Sequence, residues 1–206
     1  MESLKKTFDY LQKEYPHIPL LLDGKRGDIG NTNQGTIEFA FKYLGAHGIT
    51  LYPLMGQEAL SSFLNLKDKG LFFLCRTSNS GAEEFFDLPF SGSHRLLYEQ
   101  IGLTISEKWN QNRNCYLVLG GTHMDSLKRV REITNHMIAL VPGIGHQGGQ
   151  IASFQNLSES LSKNPLIFHS SRSIIYASKE RDFAQKSRQA ALEMVHEIQK
   201  LGDGLW

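Results

Sequence analysis

The sequence predicts an α/β protein in which a parallel sheet is wound by helices. Three observations carry that prediction. Short apolar runs alternate with stretches of helical periodicity along all 206 residues. Each gap between successive strands is long enough for a crossover. In nearly every unit the glycine-rich or polar loop follows the strand rather than preceding it. That asymmetry gathers the functional loops at one end of the strands, as in a (β/α) barrel. Six strands are visible, where a closed barrel of this kind has about eight. The expected fold class is α/β of the (β/α)8 TIM-barrel type with six of the eight strands visible, in a single domain over residues 1–206.

The elements follow in order. Residues 3–15 form a helix, capped by Ser3 and striped with Leu4, Phe8, Leu11 and Tyr15. Tyr15-Pro16 ends it. Ile18 to Leu22 is a short apolar run after a proline turn, and reads as a buried strand. Thr32 to Leu44 is helical, with Ile37, Phe41 and Leu44 on one side and Gly45 as its stop. Gly48 to Tyr52 is the second strand, Gln57 to Leu66 a helix, and Gly70 to Cys75 the third strand. A polar insertion with Pro89 and Gly92 leads into a helix from His94 to Trp109. Asn114 to Leu119 is the fourth strand, Asp125 to Thr134 a helix, Met137 to Val141 the fifth strand and Pro165 to His169 the sixth. The last helix spans Asp182 to Leu201, packed through Phe183, Ser187, Ala191, Met194, Ile198 and Leu201.

Composition narrows the function classes. An apolar share of 40% supports a substantial core. A net charge of +1 argues against a nucleic-acid binder that works through a basic face. Cys75 and Cys115 sit in separate apolar runs, as reduced thiols of a cytoplasmic protein do. Residues 1–6 lack the apolar core of a signal peptide, and no run is long enough to span a membrane.

The first strand ends in Asp23-Gly24-Lys25-Arg26-Gly27-Asp28. Alternate strand residues share a face, so Asp23 and Lys25 point the same way. Gly24 and Gly27 are expected to let the backbone turn, bringing Asp28 to the same cavity or a neighbouring one. Such residues are also ordinary turn formers, and a solvated ion pair is common. The strand context favours chemistry, because α/β enzymes place it at the carboxyl ends of strands.

Two later loops suit a phosphate. Pro142 to Gly149 holds four glycines, whose N–H groups suit an anion, and Gln147 adds a side-chain donor. Arg172 follows the sixth strand inside a serine cluster, where a guanidinium can hold phosphate oxygens bidentately. Phosphate sites in barrels recur after the last two strands. After the third strand, Ser78 and Asn79 could donate to the edge of a heterocycle, while Thr77 reads as a turn residue. His123 and His146 lack a second ligand at metal spacing and read as solvent-facing. His17, His47, His136, His169 and His196 carry no assigned role.

Read together, these motifs resemble one family. Asp23-Gly24-Lys25-Arg26-Gly27-Asp28-Ile29-Gly30-Asn31-Thr32 is similar to the D-x-K-x-x-D-I-x-x-T signature of the orotidine 5'-phosphate decarboxylases. Leu74 to Asn79, Val141 to Gly149 and Ser171 to Ala177 resemble the bacterial members, in the subgroup with a V-P-G-I-G-x-Q-G-G loop. The resemblance implies cofactor-free decarboxylation of orotidine monophosphate to uridine monophosphate, the last step of de novo UMP biosynthesis. It also implies a homodimer of (β/α)8 barrels with shared active sites and no bound metal. By motif, Lys25 would stabilise and then protonate the carbanion at C6 of the pyrimidine. Asp23 would hold Lys25 and lie against the departing carboxylate, while Asp28, Ile29 and Thr32 would project into the partner's site. Ser78 would contact the pyrimidine, and Gln147 and Arg172 would grip the phosphate.

Departures from the family pattern define the alternatives. The family has two strands before the one carrying Asp23, supplying an aspartate for the ribose and a second lysine. Both are expected to be missing, which predicts an N-terminally incomplete barrel with weak turnover and open strand edges. Tyr52 stands where the family usually has asparagine. One alternative is a Mg2+-dependent sugar-phosphate decarboxylase or aldolase of the same superfamily, disfavoured by the T-S-N and glycine-rich loops. The other is a non-catalytic barrel remnant that binds uridine nucleotides.

Overall fold

A computed structural model describes residues 1–145, 148–157 and 165–201. The chain forms two compact units, one from Met1–Cys75 and Leu103–Leu117, the other from Arg76–Gly102 and Val118–Trp206.

In the first unit the opening helix α1 (Glu2–Glu14) precedes strand β1 (Leu21–Arg26). Helix α2 (Gly30–Ile37) continues as a π-helical turn over Glu38–Tyr43 and stops at Gly45, whose φ is +72°. The π turn shifts the buried side: Ile37, Ala40 and Leu44 face inward, and Phe41 is only half-buried. Strand β2 (Gly48–Leu51) pairs in parallel with β1 and with β3 (Gly70–Arg76). The predicted helix over 57–66 is two single turns, α3 (Gly56–Ala59) and α4 (Ser61–Leu64). Strand β4 (Cys115–Leu119) follows β3 in the sheet, and Leu71 N–H donates to Asn114 O at 2.9 Å. β2 is buried along its whole length, and β3 from Leu71 onward. That is the burial expected of a parallel sheet covered on both faces. β1 is the outer strand of this unit and is correspondingly half-exposed. Phe8, Leu20, Leu44 and Ala46 form the core beneath it.

In the second unit the insertion after β3 carries the turn α5 (Glu83–Phe86). Helix α6 begins at Leu97 rather than at His94, and it crosses into the first unit as Leu97–Thr104. Helix α7 (Met124–Ile133) leads to β5 (Ala139–Val141), which pairs in parallel with β6 (Leu166–Phe168). Arg131 is buried, donates to Met137 O at 3.1 Å, and has its pKa pulled down to about 10 by burial. A short helix α8 (Arg172–Ile175) and the long α9 (Phe183–Gln199) close the described chain. The predicted packed face of α9 is only half-buried at Ser187, Ala191, Met194 and Ile198, while Leu201 just beyond it is buried. Phe183 leaves that face altogether, at 58% exposed. Both cysteines are buried and form no disulfide with each other, and burial pushes the Cys115 thiol up to about 12. Among the described residues no helix is long and apolar enough to cross a membrane.

Candidate active site

The acid–base stretch lies inside a strand, not beyond one. β1 starts three residues later than its apolar run suggests and continues to Arg26. Ile18 lies outside it and is 47% exposed. The register explains the shift. Leu22 pairs with Ile49 and Arg26 with Leu51, so Asp23, Gly24 and Lys25 stand opposite Thr50 alone. This is a bulge, and bulges re-aim side chains. Lys25 absorbs the distortion with φ +44°. Gly24 and Gly27, expected to make the turn, do not adopt positive φ among the described residues. Gly27 serves closeness instead: a Cβ there would lie 2.8 Å from Tyr52 O. Tyr52 N–H also donates to Arg26 O at 2.6 Å.

As predicted, Asp23 and Lys25 share a face, with Lys25 Nζ 2.6 Å from Asp23 Oδ2. The buried Thr50 hydroxyl joins the pair. It accepts Lys25 N–H at 2.9 Å and donates to Asp23 Oδ1 at 2.8 Å. Asp28 is held differently. Its N–H donates to Asn33 Oδ1 at 3.0 Å, and Asn33 Nδ2 donates to Asp28 O at 2.5 Å and to Ala59 O at 2.7 Å. Asn33 is fully buried, at 0% exposure. The Asp28 carboxylate accepts Ile29 N–H at 2.7 Å and, among the described residues, forms no salt bridge. Among the described residues Lys25 is thus paired with one acid. Asp28, Ile29 and Thr32 are all exposed, and Ile29 shows 61% of its surface.

In the second unit Ser78 is fixed through its backbone. A Cβ on Gly120 would lie 2.7 Å from Ser78 Cα, so only glycine permits that approach. The Thr122 hydroxyl donates to Ser78 O at 3.2 Å. Just before Ser78, the buried Arg76 grips Asp87 through Nε and Nη2, both at 2.8 Å. The guanidinium lies 5.9 Å from the centre of the Tyr98 ring. Its hydrogen bond holds the Asp87 carboxyl below the usual carboxylate range. His123, expected in solvent, is half-buried beside this pair, and burial and then the Arg76 charge keep its pKa down.

The glycine-rich loop is built from its own backbone. Gly145 N–H donates to Gly149 O at 2.9 Å, Gly148 N–H to Gly145 O at 2.8 Å, and Gly149 N–H to Gly143 O at 3.1 Å. Gly143, Gly145 and Gly148 have φ of +93°, +83° and +94°. Three glycine amides are therefore spent inside the loop, against the expectation that they face an anion. Serines after β6 pack against the same loop. A Cβ on Gly145 would meet Ser173 Oγ at 2.6 Å, and Ser170 Oγ donates to Ile144 O at 3.4 Å. Arg172 is exposed and opens α8. Gln147 and His146 lie outside the described residues. A cavity of about 770 Å³ adjoins the loop, but Glu193 and Glu197 line it and Arg172 does not. Lys200 also lines it, but two carboxylates against one ammonium leave it net negative and a poor phosphate site.

Sequence reasoning missed Thr50, Asn33 and the Arg76–Asp87 pair. Thr50 did carry a signal, as the polar side chain in the apolar run Gly48–Leu51.

Comparisons with known proteins place the chain in one family. Residues 2–200 match the family model described as "Orotidine 5'-phosphate decarboxylase / HUMPS family". An orotidine 5'-phosphate decarboxylase of Cellvibrio japonicus (strain Ueda107) is 39% identical over 196 residues, covering 95% of this chain and 71% of the relative. Among solved structures, Leishmania donovani OMP decarboxylase superposes with a TM-score of 0.76 at 32% identity, over 96% of this chain and 74% of that one. Leishmania donovani UMP synthase gives 0.77 at 33% identity, over 95% of this chain and 42% of that longer one. The fold class is accordingly α/β of the TIM-barrel type.

Proposed function

We infer function from one premise: the chain belongs to the orotidine 5'-phosphate decarboxylase / HUMPS family. The chain converts orotidine 5'-phosphate to uridine 5'-phosphate and CO2. The observation that carries this reading is the Asp23–Lys25 pair, 2.6 Å apart on a strand whose backbone is pinned at that point. The C6–carboxylate bond breaks heterolytically, CO2 departs, and its bonding electrons remain on C6. A fixed ammonium beside that carbon stabilises the developing charge, the preorganisation that contributes most in such sites. Lys25 then gives C6 its proton and regains one from solvent. Asp23 orients the ammonium and repels the substrate carboxylate, an interaction relieved as CO2 leaves.

Ser78 contacts the pyrimidine, and Gln147 and Arg172 hold the phosphate. Binding energy from so remote a group can be used to order the reacting end. The protein acts as one barrel domain, as a cytoplasmic homodimer in which Asp28, Ile29 and Thr32 enter the partner's site. The exposure of all three supports that role.

The test is a spectrophotometric decarboxylation assay on purified protein, with EDTA and with added Mg2+, beside its mass in solution. Metal-independent turnover by a dimer, lost in Lys25→Ala, is the expected result. Turnover of a sugar phosphate only with Mg2+, or activity that survives Lys25→Ala, overturns the assignment.

A further inference from the structure

The Asp23 and Lys25 side chains are 44% and 52% exposed. An exposed ion pair is worth little and does not hold two flexible side chains in one geometry by itself. The reaction proposed above nevertheless needs the ammonium fixed. The residue that fixes it lies across the sheet. Three residues of β1 stand opposite Thr50 alone, so the β2 backbone cannot serve every group in the bulge. Thr50 is 1% exposed, and its side chain takes over.

A hydroxyl has one proton and two lone pairs. An ionised carboxylate only accepts and an amide N–H only donates. The proton of Thr50 therefore goes to Asp23 Oδ1 at 2.8 Å, and a lone pair receives Lys25 N–H at 2.9 Å. This leaves Asp23 Oδ2 for Lys25 Nζ at 2.6 Å. One buried oxygen thus sets the backbone of the base and the carboxylate plane of the acid together. It also stabilises Lys25 at φ +44°, a conformation that lysine seldom takes.

We propose that Thr50 is the positioning residue of the acid–base pair: its hydroxyl, bonded to Lys25 N–H and Asp23 Oδ1, determines where the ammonium points. The catalytic half of this proposal rests on the decarboxylase reading, whereas the structural half does not. Thr50→Val keeps the shape and β-branching of the side chain and removes the hydroxyl. Thr50→Ser keeps the hydroxyl.

Two measurements separate the halves. Amide hydrogen exchange at Lys25 should accelerate more than about 10-fold in Thr50→Val and stay within about 3-fold of wild type in Thr50→Ser. With orotidine 5'-phosphate, kcat should fall about 10- to 100-fold in Thr50→Val with KM within about 3-fold, and serine should restore it. A general loss of stability would accelerate exchange across the sheet and would not be rescued by serine, so the amides of β3 serve as the control. Equal exchange in all three proteins overturns the proposal. So does an unchanged kcat in a Thr50→Val protein with accelerated exchange. A wild type that never turns over orotidine 5'-phosphate, but whose Lys25 amide depends on the hydroxyl, supports the structural hold and overturns the decarboxylase reading.

Discussion

Strand β1 and the loop from Pro142 to Gly149 are both irregular pieces of backbone, and they are held in opposite ways. β1 is distorted by a bulge and secured by side chains: Thr50 on Lys25 and Asp23, Asn33 on Asp28. The loop is secured mainly by its own amides and carbonyls, through glycines at positive φ. The difference matches what each must present. A reacting carbon needs a full charge on a side chain at one point. A phosphate needs room and donors, and Arg172, exposed at the start of α8, can offer the latter. Irregular backbone that carries charge is thus fixed from outside, and irregular backbone that makes space is fixed from within.

Substitutions can break this contrast from either side. The largest effect is expected at Lys25. Lys25→Ala should lower kcat by about 10³-fold or more with KM changed only a few-fold, read in steady-state kinetics. A large rise in KM instead would make Lys25 a binding residue and erase the contrast. Asn33→Leu should cost about 2–3 kcal/mol in urea denaturation, because Asp28 and Ala59 lose buried partners. A smaller loss would mean that Asp28 holds its own turn. Gly149→Ala should cost about 1–3 kcal/mol, since the new Cβ would meet Gly143 O at 2.8 Å and Gly121 O at 3.1 Å, both backbone atoms. It should raise KM for the phosphorylated substrate more than it lowers kcat.

The smallest expected effect is a pH dependence. Arg76 lowers the folded-state pKa of Asp87. The resulting stability is fully present above the unfolded carboxylate value and is lost as pH falls through the folded one. Asp87→Asn should therefore be less stable than wild type near pH 7, and the gap between the two urea midpoints should shrink as pH falls below the unfolded carboxylate value of about 3.9. A gap independent of pH would show that the pair contributes packing rather than charge.

Much of this was legible in the residues. The six strands and the intervening helices follow from apolar period and length, within a few residues. The acid–base stretch and the glycine-rich loop were visible as motifs. What was hidden shares one cause: partners distant in the chain. β1 ends later than its apolar run suggests because Gly24 and the charged residues after Leu22 read as a turn, whereas Thr50, 27 positions beyond Asp23, and the pairing of Arg26 with Leu51 keep them in the sheet. Asn33 reads as a surface polar residue in the first turn of a helix until Ala59 is brought against it. Arg76 and Asp87 are separated by a polar insertion whose composition gives no sign of a bidentate pair. Phe183 fitted the stripe of α9 but begins that helix in solvent, since apolar period records which residues could pack and not where the neighbouring surface ends.

The left-handed backbone at position 25 has a last consequence. Folding alone would favour glycine at φ +44°, since a Cβ there costs roughly 1–2 kcal/mol. A screen that rewards only thermal tolerance should therefore drift toward Lys25→Gly, while one that rewards growth on the reaction product should drive the lysine back.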